Sequence, residues 1–546
     1  MSRARAVALL RRMVSPAALT RQELSYVAAA LAALGLFAFY KHIQDGGFYY
    51  DDWANAATVH YGAHGISGVE SLAQTSPQRP FLILYEPLVH WAFGYHQHFH
   101  LAWAAVLAVL VAVALFAVLR ELGMELLHAS VIAALALLYP YADSTWLWST
   151  ASHAHLALAT SLVGVFVALR GLRAGGRRAF WTHAAAIALY VLAVLDYELV
   201  APPAMLFGLL YWWRAGWQRA RTRWLLDGLA ISLTLLLVTS NSAQKRQSFG
   251  GSLHHVHLIA DQALSVFAST AAPIGSPGRA TVLVLALLVV LAAGVVARAL
   301  PAPDPARAEL RRWLSIAAAG VLVAAAGYVL FIPADSYYSP LTLGLGNRVN
   351  VIAGIGLVVI VYSLIMLAAA LVFRTLHGSR TLALLSVVAA CAVLGVGYVR
   401  QIDSDTLRWD TAYSEQLRVL ALLKSALPNP ARGSTIFMFG VEGFYTPGVP
   451  VFGSSWDLNG AVKRLYNSGD VTAYPLYGAR TGVRCDRGGV QPYGAGYGPA
   501  QRAPYGKTVL VDLSRRHRRV RPIYDLRQCK RTPPTFRAGP IVLYAR

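Results

Sequence analysis

Apolar residues in this chain are gathered into blocks of about 20, which recur between residues 24 and 399. A helix of that length spans the hydrocarbon core of a bilayer, which is about 30 Å thick. Because backbone groups in lipid must be hydrogen-bonded within the segment, each block is predicted to be helical. About eleven transmembrane helices are predicted, at residues 24–40, 99–119, 125–142, 152–169, 180–196, 199–213, 224–240, 280–297, 313–332, 351–373 and 381–399.

The pattern changes near residue 400, where polar residues become frequent and the long apolar blocks end. A helix is predicted over residues 403–427, because Pro428 and Pro430 follow it. Short β-type runs then alternate with loops rich in Gly, Pro and Tyr, at Thr435 to Phe439, Thr508 to Asp512 and Ile541 to Tyr544. The fold class is therefore a polytopic α-helical membrane protein, residues 1–399, with a small C-terminal α/β domain, residues 400–546.

The composition agrees with this class, since 56% of the residues are hydrophobic and 14% are charged. Arginines precede the first helix and fill every second loop, at Arg3, Arg5, Arg11, Arg12, Arg21, Arg170, Arg173, Arg177, Arg178, Arg214, Arg219, Arg221, Arg223, Arg298, Arg307, Arg311 and Arg312. Short cytoplasmic loops carry such an excess, so the N-terminus is predicted to be cytoplasmic and the C-terminal domain extracytoplasmic, in a multi-pass plasma-membrane protein. The net charge of +22 is then topological and indicates no nucleic-acid partner.

Two of the three cysteines, Cys485 and Cys529, fall in the predicted outside domain, whereas Cys391 lies in a helix. An oxidising compartment permits a disulfide between the first two. Such a bond would close a loop of about 45 residues and stabilise the domain if its geometry allows.

The first outside loop, residues 41–98, is long and rich in aromatic, histidine and acidic residues. Residues 81–93 have an apolar face at helical spacing, which predicts a helix lying in the membrane interface, and residues 258–270 predict a second one. The sharpest chemical signal is the pair Asp51 and Asp52, about ten residues beyond the first helix. Mutual repulsion and burial would raise at least one carboxyl pKa, which suits a general base or a metal ligand. The alternative is a solvated acidic turn or a helix N-cap.

Other polar residues lie at helix ends on the same side, namely Asp143, His153, His155, Asp196 and Glu198. At that depth they are either functional groups or charged interfacial turns. The clusters at residues 96–100 and 254–257 contain three histidines each, without a cysteine or acidic partner at a ligand spacing, so interfacial histidines are the favoured interpretation. The sequence has no P-loop and no Gly-rich strand-to-helix turn, which argues against direct use of a nucleotide sugar.

The acidic pair and its surroundings resemble the GT-C superfamily of membrane glycosyltransferases. The resemblance rests on Asp51-Asp52-Trp53, on Arg79-Pro80 with the interfacial helix after it, on residues 94–100, and on Asn347-Arg348-Val349-Asn350. It spans roughly residues 24–399 and implies a polyprenyl-phosphate-linked sugar as donor. It also implies an extracytoplasmic glycan, lipid or protein as acceptor, and transfer with inversion. High Ala, Arg and Gly usage suggests an actinobacterial type of cell-envelope enzyme.

The resemblance also implies roles for individual residues. Asp51 would be the general base, with Asp52 supporting it or holding a divalent cation, Mg²⁺ or Mn²⁺; the reverse order of the two aspartates is also open. Fixed cations for the donor phosphate would be Arg348 first, then Arg79, Lys245 and Arg246, although an interfacial arginine is also an ordinary membrane anchor. Candidate substrate-binding residues are Tyr49, Trp53, His153, His155, Glu198 and Asn347.

Two other functional classes are compatible with the sequence. A transporter or flippase for a lipid-linked saccharide would also contact polyprenyl lipids, but it predicts internal repeats and ionisable groups near the midplane. In this chain such groups lie at the predicted outer helix ends. A noncatalytic cell-envelope assembly protein would explain the outside domain and leaves the acidic pair without a role.

Overall fold

The computed structural model of the chain describes residues 19–62, 69, 77–240, 248–275, 277–335, 337–375, 380–477, 481–494, 502–514, 519–531 and 541–544. Its helices up to the C-terminal domain are α1 Arg21–Asp45, α2 Asp51–Tyr61, α3 Pro80–Phe93, α4 Gln97–Glu121, α5 Leu126–Leu137, α6 Ser144–Leu147, α7 His153–Gly171, α8 Gly176–Asp196, α9 Ala201–Met205, α10 Phe207–Ala215, α11 Trp217–Ser240, α12 Phe249–Ala271, α13 Arg279–Ala299, α14 Pro305–Val329, α15 Ala353–Thr375 and α16 Arg380–Ala426. Short 3₁₀ turns lie at Pro140–Ala142, Ser149–Ser152, Glu198–Val200 and Gly344–Asn350.

The protein is a polytopic helical membrane protein with a small C-terminal domain, as the sequence predicted. Among the described residues, nine helices are long and apolar enough to cross a bilayer. The predicted interfacial segments are also helical, as α3 and part of α12.

Two of the predicted segments differ from a full-length helix. The segment at 125–142 contains only the 12-residue α5, because Pro140 opens a 3₁₀ turn shortly after Leu137. The segment at 199–213 is divided into α9 and α10. At that break the Trp224 indole donates a hydrogen bond of 2.7 Å to the carbonyl oxygen of Met205, which ends the first of the two helices.

Contacts between helix ends divide the bundle into two faces. On what we call the arginine face, arginines in or next to the Arg-rich loops form ion pairs with carboxylates at the ends of neighbouring helices. Examples are the 2.8 Å pair of Arg173 with Glu121 and the 2.5 Å pair of Arg312 with Glu125. On what we call the domain face, the first loop and the 3₁₀ turn before α15 contact the C-terminal domain. The short α5 still connects the faces, because Glu125 lies on one and Asp143 on the other.

The C-terminal domain follows α16, a helix of 47 residues that continues through the predicted boundary at residue 400 without a break. Its elements are β1 Thr435–Phe439, β2 Phe444–Thr446, β3 Val449–Pro450, α17 Ser455–Tyr466, β4 Thr472–Leu476, β5 Thr481–Asp486, β6 Gly489–Gly494, β7 Thr508–Asp512, β8 Arg519–Ile523, α18 Leu526–Lys530 and β9 Ile541–Tyr544. The main sheet has the order β4-β1-β7-β8, in which β8 alone is antiparallel to its neighbour. All three predicted β-type runs are strands, as β1, β7 and β9.

The expected disulfide is present in this domain. Cys485 on β5 and Cys529 on α18 are bonded, with a Cα separation of 6.1 Å that lies within the range such bonds require. Both side chains are fully buried in a small cluster with Val483 and Leu510. The bond therefore ties α18 to the smaller sheet of β5, β6 and β9.

Candidate functional site

The acidic pair lies at the start of α2, after a sharp turn of the chain. Gly47 packs against the ring of Tyr413, where a Cβ atom would lie 2.0 Å from a ring carbon. Tyr50 has a φ of 47°, a left-handed conformation that costs a bulky residue about 1–3 kcal/mol. Strain of this kind persists only where the surroundings enforce it, and here it orients the first turn of α2.

Asp52 is held by four hydrogen bonds and is fully buried. Its Oδ1 accepts bonds from Ser149 Oγ at 3.0 Å and from the Thr150 amide and hydroxyl at 2.7 and 2.6 Å. Its Oδ2 accepts a bond from the Tyr49 amide at 3.0 Å. Burial raises the carboxyl pKa to about 6, against the opposing effect of these donors. Asp52 therefore fixes α2 to the 3₁₀ turn before α7.

Asp51 has a different environment, although it is the neighbouring residue. Its Oδ1 accepts a 2.8 Å hydrogen bond from the indole nitrogen of Trp456, which belongs to the C-terminal domain. Burial raises the pKa of Asp51, and that hydrogen bond together with the charges of Arg348 and Arg79 partly offsets the increase. No described residue donates a hydrogen bond to the second oxygen, Oδ2. Asp51 thus has one oxygen available to a ligand.

Arg348 lies on the 3₁₀ turn before α15, surrounded by aromatic rings. Its guanidinium carbon is 5.4 Å from the ring centre of Trp148 and 5.5 Å from those of Tyr337 and Tyr338. Its Nη1 donates a 2.7 Å hydrogen bond to the carbonyl oxygen of Leu345. No carboxylate in the described part of the chain forms a salt bridge with it, and Asp51 acts on it at longer range. Cation–π contacts hold this charge in place without neutralising it.

The turn that carries Arg348 is positioned by the C-terminal domain. Gly344 has a φ of 69°, and a Cβ atom there would lie 2.5 Å from the backbone of Gly448. Only glycine fits both the conformation and the contact. The Leu345 amide then donates a 2.7 Å hydrogen bond to the Gly448 carbonyl oxygen.

The second predicted arginine, Arg79, is paired with a carboxylate. Its Nε and Nη2 donate hydrogen bonds of 3.1 and 3.0 Å to the two carboxylate oxygens of Glu198. Its guanidinium also lies over the ring of Tyr197, 4.6 Å from the ring centre. Burial disfavours the charged form of Glu198, but the neighbouring Arg79 outweighs this effect and lowers the pKa of Glu198. The two residues form a bidentate ion pair in which each charge is already balanced.

A cavity of about 770 Å³ begins at this pair. Its polar lining residues include Arg79, Glu198, Tyr197, Asp335, Tyr337 and Tyr338, and its apolar wall includes Leu235, Leu236, Val238, Leu330 and Phe331. Arg348 is not itself a lining residue, but its guanidinium carbon lies 5.5 Å from the ring centres of both lining tyrosines. Because Leu236 is exposed on the outside of α11, the apolar end opens toward the lipid-facing surface of the bundle. The cavity suits a molecule with a polar head and an apolar chain.

Comparison with known proteins gives structural similarities only. No protein-family model matches the chain, and no curated protein sequence matches it. Among solved structures, the chain is similar to ArnT from Cupriavidus metallidurans bound to undecaprenyl phosphate, with 14% identity and a TM-score of 0.33 over 82% of this chain and 89% of that one. It is also similar to the Archaeoglobus fulgidus oligosaccharyltransferase tethered with an acceptor peptide, with 12% identity and a TM-score of 0.42 over 84% and 64% of the two chains. Because these identities and TM-scores are low, the roles of the site residues are argued from their own geometry.

The predicted substrate-binding residues are mostly turned toward the protein interior. Tyr49 donates a 3.0 Å hydrogen bond to the Trp409 carbonyl oxygen, and the Trp53 indole donates one of 2.9 Å to Gln416. Both side chains are buried between the first loop and α16. They shape the turn around the acidic pair and do not line the cavity.

Three further candidates are also buried near the domain face. His155 Nε2 lies 3.1 Å from the Thr145 hydroxyl, and Asn347 donates a 2.6 Å hydrogen bond to Asp143. His153 packs against the Tyr197 ring, with its Nδ1 3.7 Å from Asp196. Lys245 and Arg246 lie outside the described residues.

The expectation of a metal on Asp52 does not fit the residues present. All the described hydrogen bonds to Asp52 come from donors that occupy both carboxylate oxygens. Within the described ranges, no group of three or more His, Cys, Asp or Glu side chains is arranged to hold an ion. The histidine clusters agree with this, since His98 and His100 each bind a backbone carbonyl.

Several residues at the site were not identified from the sequence. Trp456 contacts Asp51 and Trp148 contacts Arg348 from distant parts of the chain, whereas Tyr337 and Tyr338 contact Arg348 from about ten residues before it. Glu86 is also close, and burial together with the charge of Asp51 raises its pKa to about 8. An acid within the otherwise apolar run of α3 was the available signal for Glu86. For Trp456 and Trp148 no local signal existed.

Proposed function

We propose that the protein is a membrane glycosyltransferase of the GT-C type, which moves a sugar from a polyprenyl-phosphate donor to an acceptor hydroxyl. One observation carries this proposal. Among the described residues, none donates a hydrogen bond to Asp51 Oδ2 and no carboxylate pairs with Arg348, and these two groups interact beside the polar end of a cavity whose other end is apolar.

The donor would bind with its phosphate toward Arg348 and its chain along the apolar wall of the cavity. A lipid phosphate ends the reaction with increased negative charge, and a fixed, desolvated cation stabilises that charge as it develops. Arg348 can make such a contact because no described carboxylate competes for it. Arg79 is a weaker candidate, since its charge is balanced by the two oxygens of Glu198.

In the proposed reaction, Asp51 Oδ2 takes the proton of the acceptor hydroxyl while the hydroxyl oxygen of the acceptor attacks C1 of the sugar. The bond from C1 to the phosphate oxygen breaks, and its electron pair leaves with the lipid phosphate. A new glycosidic bond forms on the opposite face of the sugar, so the anomeric configuration inverts. Asp52 is a positioning residue in this scheme, because its hydrogen bonds hold the first turn of α2.

We also propose that the domain face is extracytoplasmic. The arginine face collects the basic loops, which remain in the cytoplasm in most multi-pass proteins. The donor would then be used at the outer surface of the plasma membrane, and the acceptor would be an extracytoplasmic glycan, lipid or protein.

The test uses the full-length protein in nanodiscs with polyprenyl-phosphate sugars carrying a labelled sugar, and cell-envelope extract as the source of acceptor. We expect release of unlabelled polyprenyl phosphate and a labelled product of inverted configuration by NMR. A product of retained configuration would contradict the mechanism. Movement of the intact lipid-linked sugar across proteoliposomes, without cleavage, would favour the flippase alternative.

A further inference from the structure

The C-terminal domain contributes an aromatic side chain directly to the candidate catalytic carboxylate. Trp456 lies in the first turn of α17, 405 residues from Asp51, and its indole nitrogen donates a 2.8 Å hydrogen bond to that carboxylate. The side chain nevertheless remains 41% exposed. A molecule that covers the exposed part of the indole therefore lies within reach of Asp51.

Trp456 is one member of a larger aromatic surface. Its ring meets Tyr50 edge to face, with 5.3 Å between ring centres. Tyr50 and Phe444 both approach Gly453, where a Cβ atom would lie 3.4 Å from the first ring and 3.0 Å from the second. Phe444 is 45% exposed. We call Trp456, Tyr50 and Phe444 the aromatic platform.

The topology of the domain places this platform at a position where α/β sheets bind ligands. Parallel strands β1, β4 and β7 end together at Phe439, Leu476 and Asp512. The loop after β1 leads to Phe444, and Tyr477, the residue after β4, donates a hydrogen bond to the Phe452 carbonyl oxygen. Ligands of open α/β sheets bind outside the carboxyl ends of the strands, at the point in the sheet where the order of the strands reverses. Here that point lies at β1.

The aromatic contacts also connect the platform to the proposed phosphate site through Trp148. Tyr50 meets Trp148 edge to face, with 5.7 Å between ring centres, and the guanidinium carbon of Arg348 is 5.4 Å from the centre of the same Trp148 ring. The order across the site is therefore Arg348, Trp148, Tyr50 and Trp456, with Asp51 beside the last two. A donor bound at Arg348 would leave the platform free for the second substrate.

We propose that the aromatic platform binds a neutral saccharide as the acceptor of the transfer, an inference that rests on the proposed function. A sugar ring has a C–H face that packs on an aromatic ring and hydroxyls at its rim that bind carboxylates. With its face on Trp456, such a ring would present a rim hydroxyl to Asp51. The carboxylate of Asp51, bonded to the Trp456 indole, disfavours an anionic acceptor.

The experiment measures saccharide binding without donor, so that it does not depend on turnover. Full-length protein in nanodiscs is titrated with linear hexasaccharides of arabinose, mannose, galactose and glucose, and binding is followed by saturation-transfer NMR. The variants are Trp456→Ala and Phe444→Ala. The matched control is Tyr524→Ala, because Tyr524 is 62% exposed and follows β8 at the opposite end of the same sheet. Thermal unfolding is recorded for each protein.

We expect at least one hexasaccharide to bind the wild type, and both platform variants to weaken its binding roughly tenfold, as for truncated aromatic anchors in general. The Tyr524→Ala control should bind like the wild type. If Trp456→Ala fails to fold, Phe444→Ala decides the result. The proposal is overturned if no hexasaccharide binds the wild type, or if folded platform variants bind as it does. Failure of the transfer reaction with intact saccharide binding would instead overturn the proposed function.

Discussion

One arginine on the domain face of the helical bundle, Arg348, is held differently from the paired arginines on the arginine face. On the arginine face, Arg173 and Arg312 are balanced by Glu121 and Glu125 at 2.8 and 2.5 Å. On the domain face, Arg348 is held by aromatic rings, and none of the described carboxylates pairs with it. Partially exposed ion pairs satisfy charges within the protein and contribute little else. A charge that is fixed but left unbalanced is available to a ligand, and this distinguishes Arg348 from the paired arginines, including Arg79 on its own face.

The largest expected contrast between the faces is their accessibility in cells. Single cysteines replace Tyr524 on the C-terminal domain and Arg177 on the arginine face, both of which are exposed. A membrane-impermeant maleimide should label Tyr524→Cys in intact cells and Arg177→Cys only after permeabilisation. Cys391 is buried and serves as the internal background. The opposite labelling would invert the proposed orientation.

The second contrast lies within the acidic pair itself. Asp51→Asn keeps the shape of the side chain and removes the base, so kcat should fall by about 10² to 10⁴-fold. Donor binding should change little, because the phosphate contact belongs to Arg348. Asp52→Asn should instead lower thermal stability, since four hydrogen bonds converge on that carboxylate. Full transfer activity in Asp51→Asn would show that another group acts as the base.

The third contrast compares one arginine from each face. Arg348→Ala should weaken binding of undecaprenyl phosphate by roughly 10 to 100-fold, which corresponds to the loss of a charge-assisted hydrogen bond. Arg312→Ala removes the same charge from the arginine face and should leave that affinity unchanged. Both dissociation constants are measured in nanodiscs by microscale thermophoresis. Equal losses in the two variants would indicate a general electrostatic effect rather than a site.

The smallest expected effect concerns the hydrogen bond between the two domains. Burial raises the pKa of Asp51, and the Trp456 indole lowers it. Trp456→Phe keeps an aromatic ring and removes the donor, so the pKa should rise further. Because the base acts in its ionised form, the acid limb of the pH dependence of kcat should move to higher pH. Trp217→Phe, on the arginine face, is the control, and an unmoved limb in Trp456→Phe would separate Trp456 from the base.

Much of the fold could be predicted from the sequence, because long apolar blocks and short β-type runs are local signals. The predicted segments 125–142 and 199–213 were less accurate, since Pro140 and the Trp224 contact shorten the helices there. The acidic pair was visible as a motif, but the different environments of its two members were not. Asp52 is defined by Ser149 and Thr150, nearly 100 residues away in the chain.

The contribution of the C-terminal domain could not have been predicted. The partners Asp51 and Trp456 are separated by 405 residues, and nothing local to either one indicates the contact. The same holds for the Arg79 and Glu198 pair, which are 119 residues apart. Sequence patterns identify which side chains could act in catalysis or binding, and the tertiary fold decides which of them have no partner within the described protein.

The most direct test of the central claim is a cryo-EM structure of the protein in nanodiscs with undecaprenyl phosphate. The account predicts density for the phosphate in contact with Arg348, on the side of Asp51. It also predicts density for the lipid chain along Leu235, Leu330 and Phe331. Phosphate density bound elsewhere, with Arg348 in contact only with its aromatic neighbours, would contradict the assignment of this cavity as the donor site.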